Sequence, residues 1–321
     1  MKIVEPQVEL WKQEPTLEGA WHQIAKATRV CYQSKPRKGE SDEAFVNRVI
    51  LKPATREDGS IDFDKCHGAL LEHGTISLTI PIANFKTHIW KHLLNKYSKV
   101  AYIAGMNDDD NACITTNMRV IIENKLKDDL KFISSPTHHV KRTTFSVITD
   151  IGVTRELNRH RTFSIAEQST RYCDLTRNRF GDCLNFPVPS WINKNLLETS
   201  EVDNCLLSDM SNDLNSATTE NINNFNIKES NGIDNWDDID FYIYANLVAQ
   251  YCYQALRHRG WKPEQARQVL PLGLKTQAVY TAFEDDWKHF IKLRADNVSG
   301  KVHPNMKIIA DKIKELFNNN K

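Results

Sequence analysis

Residues 159–169 of the chain read RHRTFSIAEQS. Two guanidinium forks flank an imidazole at Arg159, His160 and Arg161, and a hydroxyl stands eight positions later at Ser169, followed by Arg171 and Tyr172. Planar forks beside a hydroxyl and a stacking ring suit a phosphate or the electron-rich edge of a conjugated ring. Ser164-Ile-Ala-Glu167 has capping-box spacing, which predicts a tight turn after Arg161 and a short helix whose first amides face the arginines. The plainer reading is that three cations complement the end of a helix. A second Arg-His-Arg at 257–259 is a control: the residue eight places beyond it is Arg267, not a serine, and Gly260 follows at once, so there the plainer reading is preferred.

The elements that must position this stretch follow from periodicity. Thr143 to Thr149 is rich in β-branched residues and suits a strand; Asp150 can then cap a helix carrying Val153 and Leu157 that ends near Arg159. Leu17 to Val30 reads as a helix with Ala20, Ile24 and Ala27 on one face. Phe241 to Arg259 reads as a longer helix with a stripe of Phe241, Tyr244, Val248, Tyr251, Cys252 and Ala255, stopped by Gly260 at C′. Pro263 suits the first turn of a further helix that Pro271 ends. Thr276 to Phe283 suits a strand, Asp285 or Asp286 a cap, Trp287 to Arg294 a helix, and Pro304 to Phe317 an amphipathic helix with Ile308, Ile309, Ile313, Leu316 and Phe317 apolar.

This mixture points to an α+β fold. The expected organisation is one domain over 1–321, decorated by insertions at about 84–136 and 198–238; the second is dominated by Asn, Asp, Ser and Glu and reads as a mobile surface segment. NDDDN at 107–111 reads as a turn. With 40% hydrophobic and 26% charged residues the 321-residue chain is ordinary for a globular protein. A formal net charge of +1 gives no electrostatic basis for sequence-independent nucleic-acid binding. The start has no apolar signal core and no later stretch is long enough to cross a bilayer, so a cytoplasmic location without membrane contact is expected. Seven scattered cysteines without a CxxC pair fit reduced thiols, and no metal site is assigned.

Arg-His-Arg, seven residues, Ser, then x-Arg-Tyr resembles the signature of the flavin-dependent thymidylate synthases, the ThyX family. EQARQVLP at 264–271 and LRAD at 293–296 resemble that family's later blocks in order and separation, and ATRVCYQS at 27–34 and HGTIS at 73–77 its N-terminal blocks more loosely. The resemblance implies a ThyX-like fold, with a central, mostly antiparallel sheet, flanking helices and no Rossmann domain; the absence of GxGxxG after a strand agrees. It implies reductive methylation of dUMP to dTMP, with methylenetetrahydrofolate as carbon donor and FAD, reduced by NADPH, as hydride donor. It also implies a homotetramer whose subunits share active sites.

By position, the resemblance assigns Arg159, His160, Arg161, Glu167 and Ser77 to FAD, with His289 and His303 near it. For those two histidines a helix-face or capping role stays open. Glu156, Arg159, Glu167, Gln168, Ser169, Thr170, Arg171, Arg267 and Arg294 would hold dUMP, Arg267 from another subunit. Arg294 would be the catalytic residue: drawing charge onto the uracil oxygens activates carbon 5, and a permanently charged arginine stabilises that charge. Ser169 has no evident base at helical spacing and reads as a hydrogen-bonding group rather than a nucleophile. Two departures stand out. Glu156 replaces the family's usual glutamine, and Thr75, Ile76 and Ser77 stand where many members carry His-Glu-Thr; His138 or His139 could supply the histidine, or form a surface pair. The rival reading is a non-catalytic nucleotide- or phosphate-binding homologue.

Overall fold

The computed structural model describes residues 1–103, 110–176, 183–193, 236–298 and 300–320. Its strands are β1 (Lys2–Val4), β2 (Gln7–Trp11), β3 (Thr75–Pro81), β4 (Lys99–Ile103), β5 (Asn111–Asn117), β6 (Arg142–Asp150), β7 (Ser164–Glu167), β8 (Asn185–Pro187) and β9 (Lys275–Phe283). The helices used below are α1 (Leu17–Tyr32), α2 (Asp42–Val46), α3 (Trp90–Leu93), α4 (Met118–Glu123), α5 (Ile151–Leu157), α6 (Asp238–His258), α7 (Pro263–Ala266), α8 (Glu284–Arg294) and α9 (Pro304–Asn319). The chain divides into two units. One takes Met1–Pro6, Thr149–Gly152 and Ser169–Lys275; the other takes Gln7–Ile148, Val153–Gln168 and Thr276–Lys321.

In the second unit, four strands run in the order β2-β6-β9-β7, with β2 antiparallel to β6 and β7 antiparallel to β9. Side chains of a strand alternate between faces, so this sheet feeds two cores. Val279 and Ala166 join a cluster with Ala20, Ile24 and Ala27 of α1. Their neighbours Ala278, Tyr280 and Ala282 instead join Trp287, Phe290 and Ile291 of α8 and Ile309, Ile313 and Phe317 of α9. Helices therefore cover both faces, as the α+β expectation requires, and no Rossmann arrangement is present among the described residues. The antiparallel pairing is divided between this sheet and a three-stranded one, β3-β5-β4.

That second sheet accounts for much of residues 84–136. These residues supply β4, β5, α3 and α4, and Ile89, Ala112, Ile114, Val120 and Ile121 are buried in the α1 core. The helical stretch from Ile82 to Leu93 buries His92 as well as Ile89 and leaves several large apolar side chains outside. His88 Nδ1 and His92 Nε2 both turn inward to the carboxylate of buried Asp129, the latter at 3.0 Å, while Trp90, Leu93 and Leu94 are exposed. Gly74 is fixed by close approach: a Cβ there would stand 2.6 Å from a carbon of Ile24 in α1.

The first unit pairs β1 with β8 in parallel and buries Leu184, Phe186, Tyr253, Ala266 and Leu274 together. Helix α6 begins one turn earlier than Phe241, because Asp237 caps it through the amides of Ile239 and Asp240. Its buried face is Ile243, Asn246, Leu247, Gln250 and Tyr253, not the expected stripe; Phe241 is exposed and stacks edge-on against Trp236. The helix is apolar around much of its circumference, so hydrophobicity alone did not select the face. Its end is as expected: Gly260 has φ 89°, and the amides of Gly260 and Trp261 donate to Arg257 and Leu256 in a Schellman motif.

Two further expectations are corrected. Ser164–Glu167 is strand β7 and not a helical turn, because alternate burial and pairing with β9 outweigh a local capping pattern. Helix α8 starts at Glu284, so Asp285 and Asp286 lie in its first turn and complement its dipole without capping it. The segment 198–238 falls almost wholly, and NDDDN at 107–111 mostly, outside the described residues.

Trp287 is fully buried between Phe145 and Phe163 and donates its indole N–H to the Thr143 carbonyl at 3.0 Å. Trp287→Ala is expected to cost about 3–5 kcal/mol in urea denaturation; a cost under about 1 kcal/mol would contradict a core built around this ring.

Candidate functional site

The arginine turn leaves α5 at Leu157 and reaches β7 at Ser164. Its backbone is held by His160 N–H donating to Leu157 and Phe163 N–H donating to His160. Buried Phe163 plugs the turn into the α8 core. The His160 ring lies over Phe163, with centroids 5.6 Å apart and planes 24° apart, and meets Phe290 edge-on at 5.0 Å. Arg159 and Arg161 are exposed to either side of it. The arginines therefore flank a fixed imidazole, and from Ser164 onward the chain enters β7 and its ladder with β9 rather than a helix.

Arg294, the last residue of α8, comes to the same place. Its Nε–H donates to His160 Nε2 at 3.3 Å, and its Nη1 lies 3.5 Å from Glu156 Oε2. The accepting role of Nε2 puts the imidazole proton on Nδ1. Burial, with the charges of Arg294, His289 and Arg159 around it, pushes His160 down to about 4, so the ring is neutral near pH 7. Glu156, His160, His289 and Arg294, which the sequence placed apart, are thus brought together. His303 is exposed at the N-cap of α9.

Glu167, at the end of β7, is fixed by three neutral donors. Thr154 and Thr276 donate to Oε1 at 2.7 and 3.2 Å, and Asn158 donates to Oε2 at 3.3 Å. Asn158 in turn accepts from the Tyr280 hydroxyl at 3.0 Å. Gln168 N–H donates to the Gln277 carbonyl at 2.8 Å, extending the β7–β9 ladder by one bond. Phe163, Phe290, Thr154, Asn158 and Thr276 escaped the sequence reading. The one local signal for them was an aromatic two residues after the second arginine.

In the other unit, Ser169 Oγ accepts from Arg171 N–H at 3.2 Å in a local turn. Arg267 Nη1 donates to Thr170 Oγ1 at 3.3 Å, and Arg171 lies 3.6 Å from Glu264 and over the Tyr172 ring. The STR stretch and the EQAR stretch, almost a hundred residues apart, therefore share one hydrogen-bonded cluster. The second Arg-His-Arg is structural as expected: Arg257 pairs with Asp174 at 2.7 Å and its guanidinium also reaches the Trp261 carbonyl.

The block after His73 is packed rather than open. His73 is fully buried, with Nδ1 2.8 Å from the Thr281 hydroxyl, and burial beside Arg142 pushes it down to about 3. Ser77 is buried in β3 opposite Thr115, and its carbonyl accepts from Ser134, so its contacts lie in the three-stranded sheet. His139 is not half of a surface pair: it is buried and its Nε2 bonds the Leu78 carbonyl at 2.8 Å. Among the described residues no group of three or more His, Cys, Asp or Glu is placed to hold a metal ion, and no helix is long and apolar enough to cross a membrane. The six described cysteines are free thiols.

The family model described as thymidylate synthase complementing protein matches residues 96–320. Among solved structures, the UMP/dUMP methylase PolB from Streptomyces cacaoi bound with 5-Br dUMP is similar at 18% identity and a TM-score of 0.39, covering 99% of this chain and 93% of that one. The same methylase bound with 5-Br UMP gives 17% identity, a TM-score of 0.40 and coverage of 99% and 92%. No curated protein matches.

Unfolded histidine titrates near the ordinary 6.5, so between about 6.5 and 4 the unfolded chain binds the extra proton. The contribution of His160 to stability is full above that window and falls as pH drops through it. By nuclear magnetic resonance the His160 ring is expected to stay neutral down to about pH 4, and Arg294→Gln is expected to raise its midpoint. An unchanged midpoint would mean that the Arg294 charge has no part in setting it.

Proposed function

Because the chain belongs to the thymidylate synthase complementing protein family, we propose that it is a flavin-dependent thymidylate synthase that converts dUMP to dTMP. Methylenetetrahydrofolate supplies the carbon. The observation that carries this reading is Arg294, held at a fixed point beside a neutral imidazole and two exposed arginines.

The residues fit a flavin at the arginine turn. Arg159 and Arg161 offer two guanidinium forks for phosphate oxygens, and the half-buried His160 ring, backed by Phe163, lies between them. His289, exposed and close enough to His160 to depress it, belongs to the same group. FAD bound there, reduced by NADPH, would supply the hydride. Ser77 and His303 are assigned to the flavin only through the resemblance.

The chain's own residues prepare the nucleotide. Arg294 stabilises negative charge on the uracil ring as carbon 5 attacks the methylene carbon, and it can do so without changing its own protonation. Glu156, already an acceptor for Arg294, can accept from a ring or sugar donor. Glu167 and Gln168 stand at the end of β7, and Ser169, Thr170, Arg171 and Arg267 supply hydroxyls and forks for the phosphate and sugar. In this family subunits share active sites, so the residues that meet on one nucleotide need not come from one chain.

A homotetramer is part of the proposal. It is supported by the exposed large apolar residues Phe85, Trp90, Leu93, Leu94, Tyr97 and Tyr102, all supplied by one segment of the chain. A cytoplasmic location is part of the same reading.

The test is a single anaerobic turnover with reduced protein, dUMP and methylenetetrahydrofolate, following flavin reoxidation and dTMP together. Matched amounts are expected, and Arg294→Ala should cut dTMP formation about 100-fold while flavin stays bound. Flavin without dTMP would point to another flavin reaction, and a colourless protein after reconstitution to a nucleotide binder without catalysis. Trp90→Glu with Leu94→Glu is expected to lower the mass measured by light scattering from that of a tetramer; an unchanged tetramer would place the interface elsewhere.

A further inference from the structure

Arg294 sits at the very end of α8 on a side chain with four rotatable bonds, so a defined direction for its charge has to come from outside the side chain. Two acceptors provide it. His160 Nε2 takes the Nε–H at 3.3 Å, and Glu156 takes the Nη1 side at 3.5 Å. A guanidinium has five N–H groups in one plane, so binding the Nε edge fixes the plane and leaves the Nη2 hydrogens for a ligand. His160 cannot swing away from this task. Phe163 underlies its ring, Phe290 closes its edge, and its backbone is hydrogen-bonded on both sides of the turn.

We propose that His160 is a positioning residue for Arg294, acting as a neutral acceptor that sets the plane of the guanidinium, with Glu156 as a second, exchangeable anchor. This goes beyond the flavin contact that resemblance assigns to His160, and its catalytic consequence rests on the reading of Arg294 above. The two anchors differ in kind. The imidazole is locked by aromatic packing and offers one lone pair in one direction. The Glu156 carboxylate is anionic, partly exposed and longer in its contact, so an anionic ring arriving at Arg294 competes with it directly. A protonated His160 would have no lone pair to give and would repel the arginine, which is why its neutral form near pH 7 agrees with the assignment.

Two measurements on ligand-free, flavin-free protein decide the geometry whatever reaction the enzyme runs. Nitrogen shifts of the His160 ring in the wild-type protein are expected to show the Nδ1–H tautomer with Nε2 accepting; an Nε2–H tautomer would overturn the proposal without any variant. The Arg294 Nε–H signal is expected to be protected from exchange in the wild type, lost in His160→Leu and retained in His160→Gln, whose amide oxygen can accept in place of Nε2. In turnover, His160→Leu should lower kcat about 10- to 100-fold with KM for dUMP changed less than about threefold, and His160→Gln should recover most of the loss. Equal losses in both variants that track lost flavin would make His160 a flavin contact and sink the positioning role. If the wild type makes no dTMP, the reaction assignment fails, and the tautomer and exchange results still stand or fall on their own.

Discussion

The seating of Phe163 in the core is the interaction on which the arginine turn depends. Its ring touches Trp287 and Phe290 of α8 and carries His160 on its other side. Burying one such side chain contributes roughly 1.5–3 kcal/mol, and here the burial also fixes a direction. A turn rich in cations would otherwise be the part of the chain most repelled by itself and most attracted to water. Because Phe163 and Phe290 belong to different elements, the packing that stabilises the unit also brings the end of α8 to the end of α5.

Charge at the turn is managed by keeping one member neutral. Burial first, and then the charges of Arg294, His289 and Arg159 around it, keep the His160 imidazole from taking up a proton. Glu156 then matters as a chemical choice. An amide in its place could accept from Arg294 but would carry no charge, so the carboxylate both balances the arginine and adds a competitor for whatever anion the arginine is meant to meet. Glu167 is treated differently: threonine and asparagine donors hold it in place without a cation.

Much of this could be read before any coordinates. The helices at 17–32 and 304–319 and the strands at 142–150 and 275–283 were legible because their burial follows the helical or strand period within one segment. Two readings failed for one shared reason. At Ser164–Glu167 a local capping pattern competed with pairing to β9, and the partner, more than a hundred residues away, decided the outcome. In α6 the apolar residues circle the helix, so the partners choose the face. The inward-facing His88 and His92, four residues apart, had a visible spacing, but their carboxylate lies at Asp129, beyond the reach of any local pattern. Residues near the motif were found by type; the aromatic rings that aim them were not, since an aromatic in a turn is equally a core residue.

The four-stranded sheet has a consequence in time. Strand β2 at Gln7–Trp11 finds its partner only at β6, and β7 at Ser164–Glu167 finds its partner only at β9. Such distant pairings must overcome loop-closure entropy before they return any stabilisation, so this sheet belongs to the slow class of folding events. A growing chain emerges from its N-terminal end, so β2, α1 and the arginine turn are all made well before β9. Until β9 and α8 have left the ribosome, β7 has no ladder, Phe163 has no α8 to enter, and the edge of β7 is open. The sheet that organises the site therefore waits for a late segment, and between the making of Glu167 and that of β9 the nascent chain carries an unpaired edge of β7 that only that segment covers.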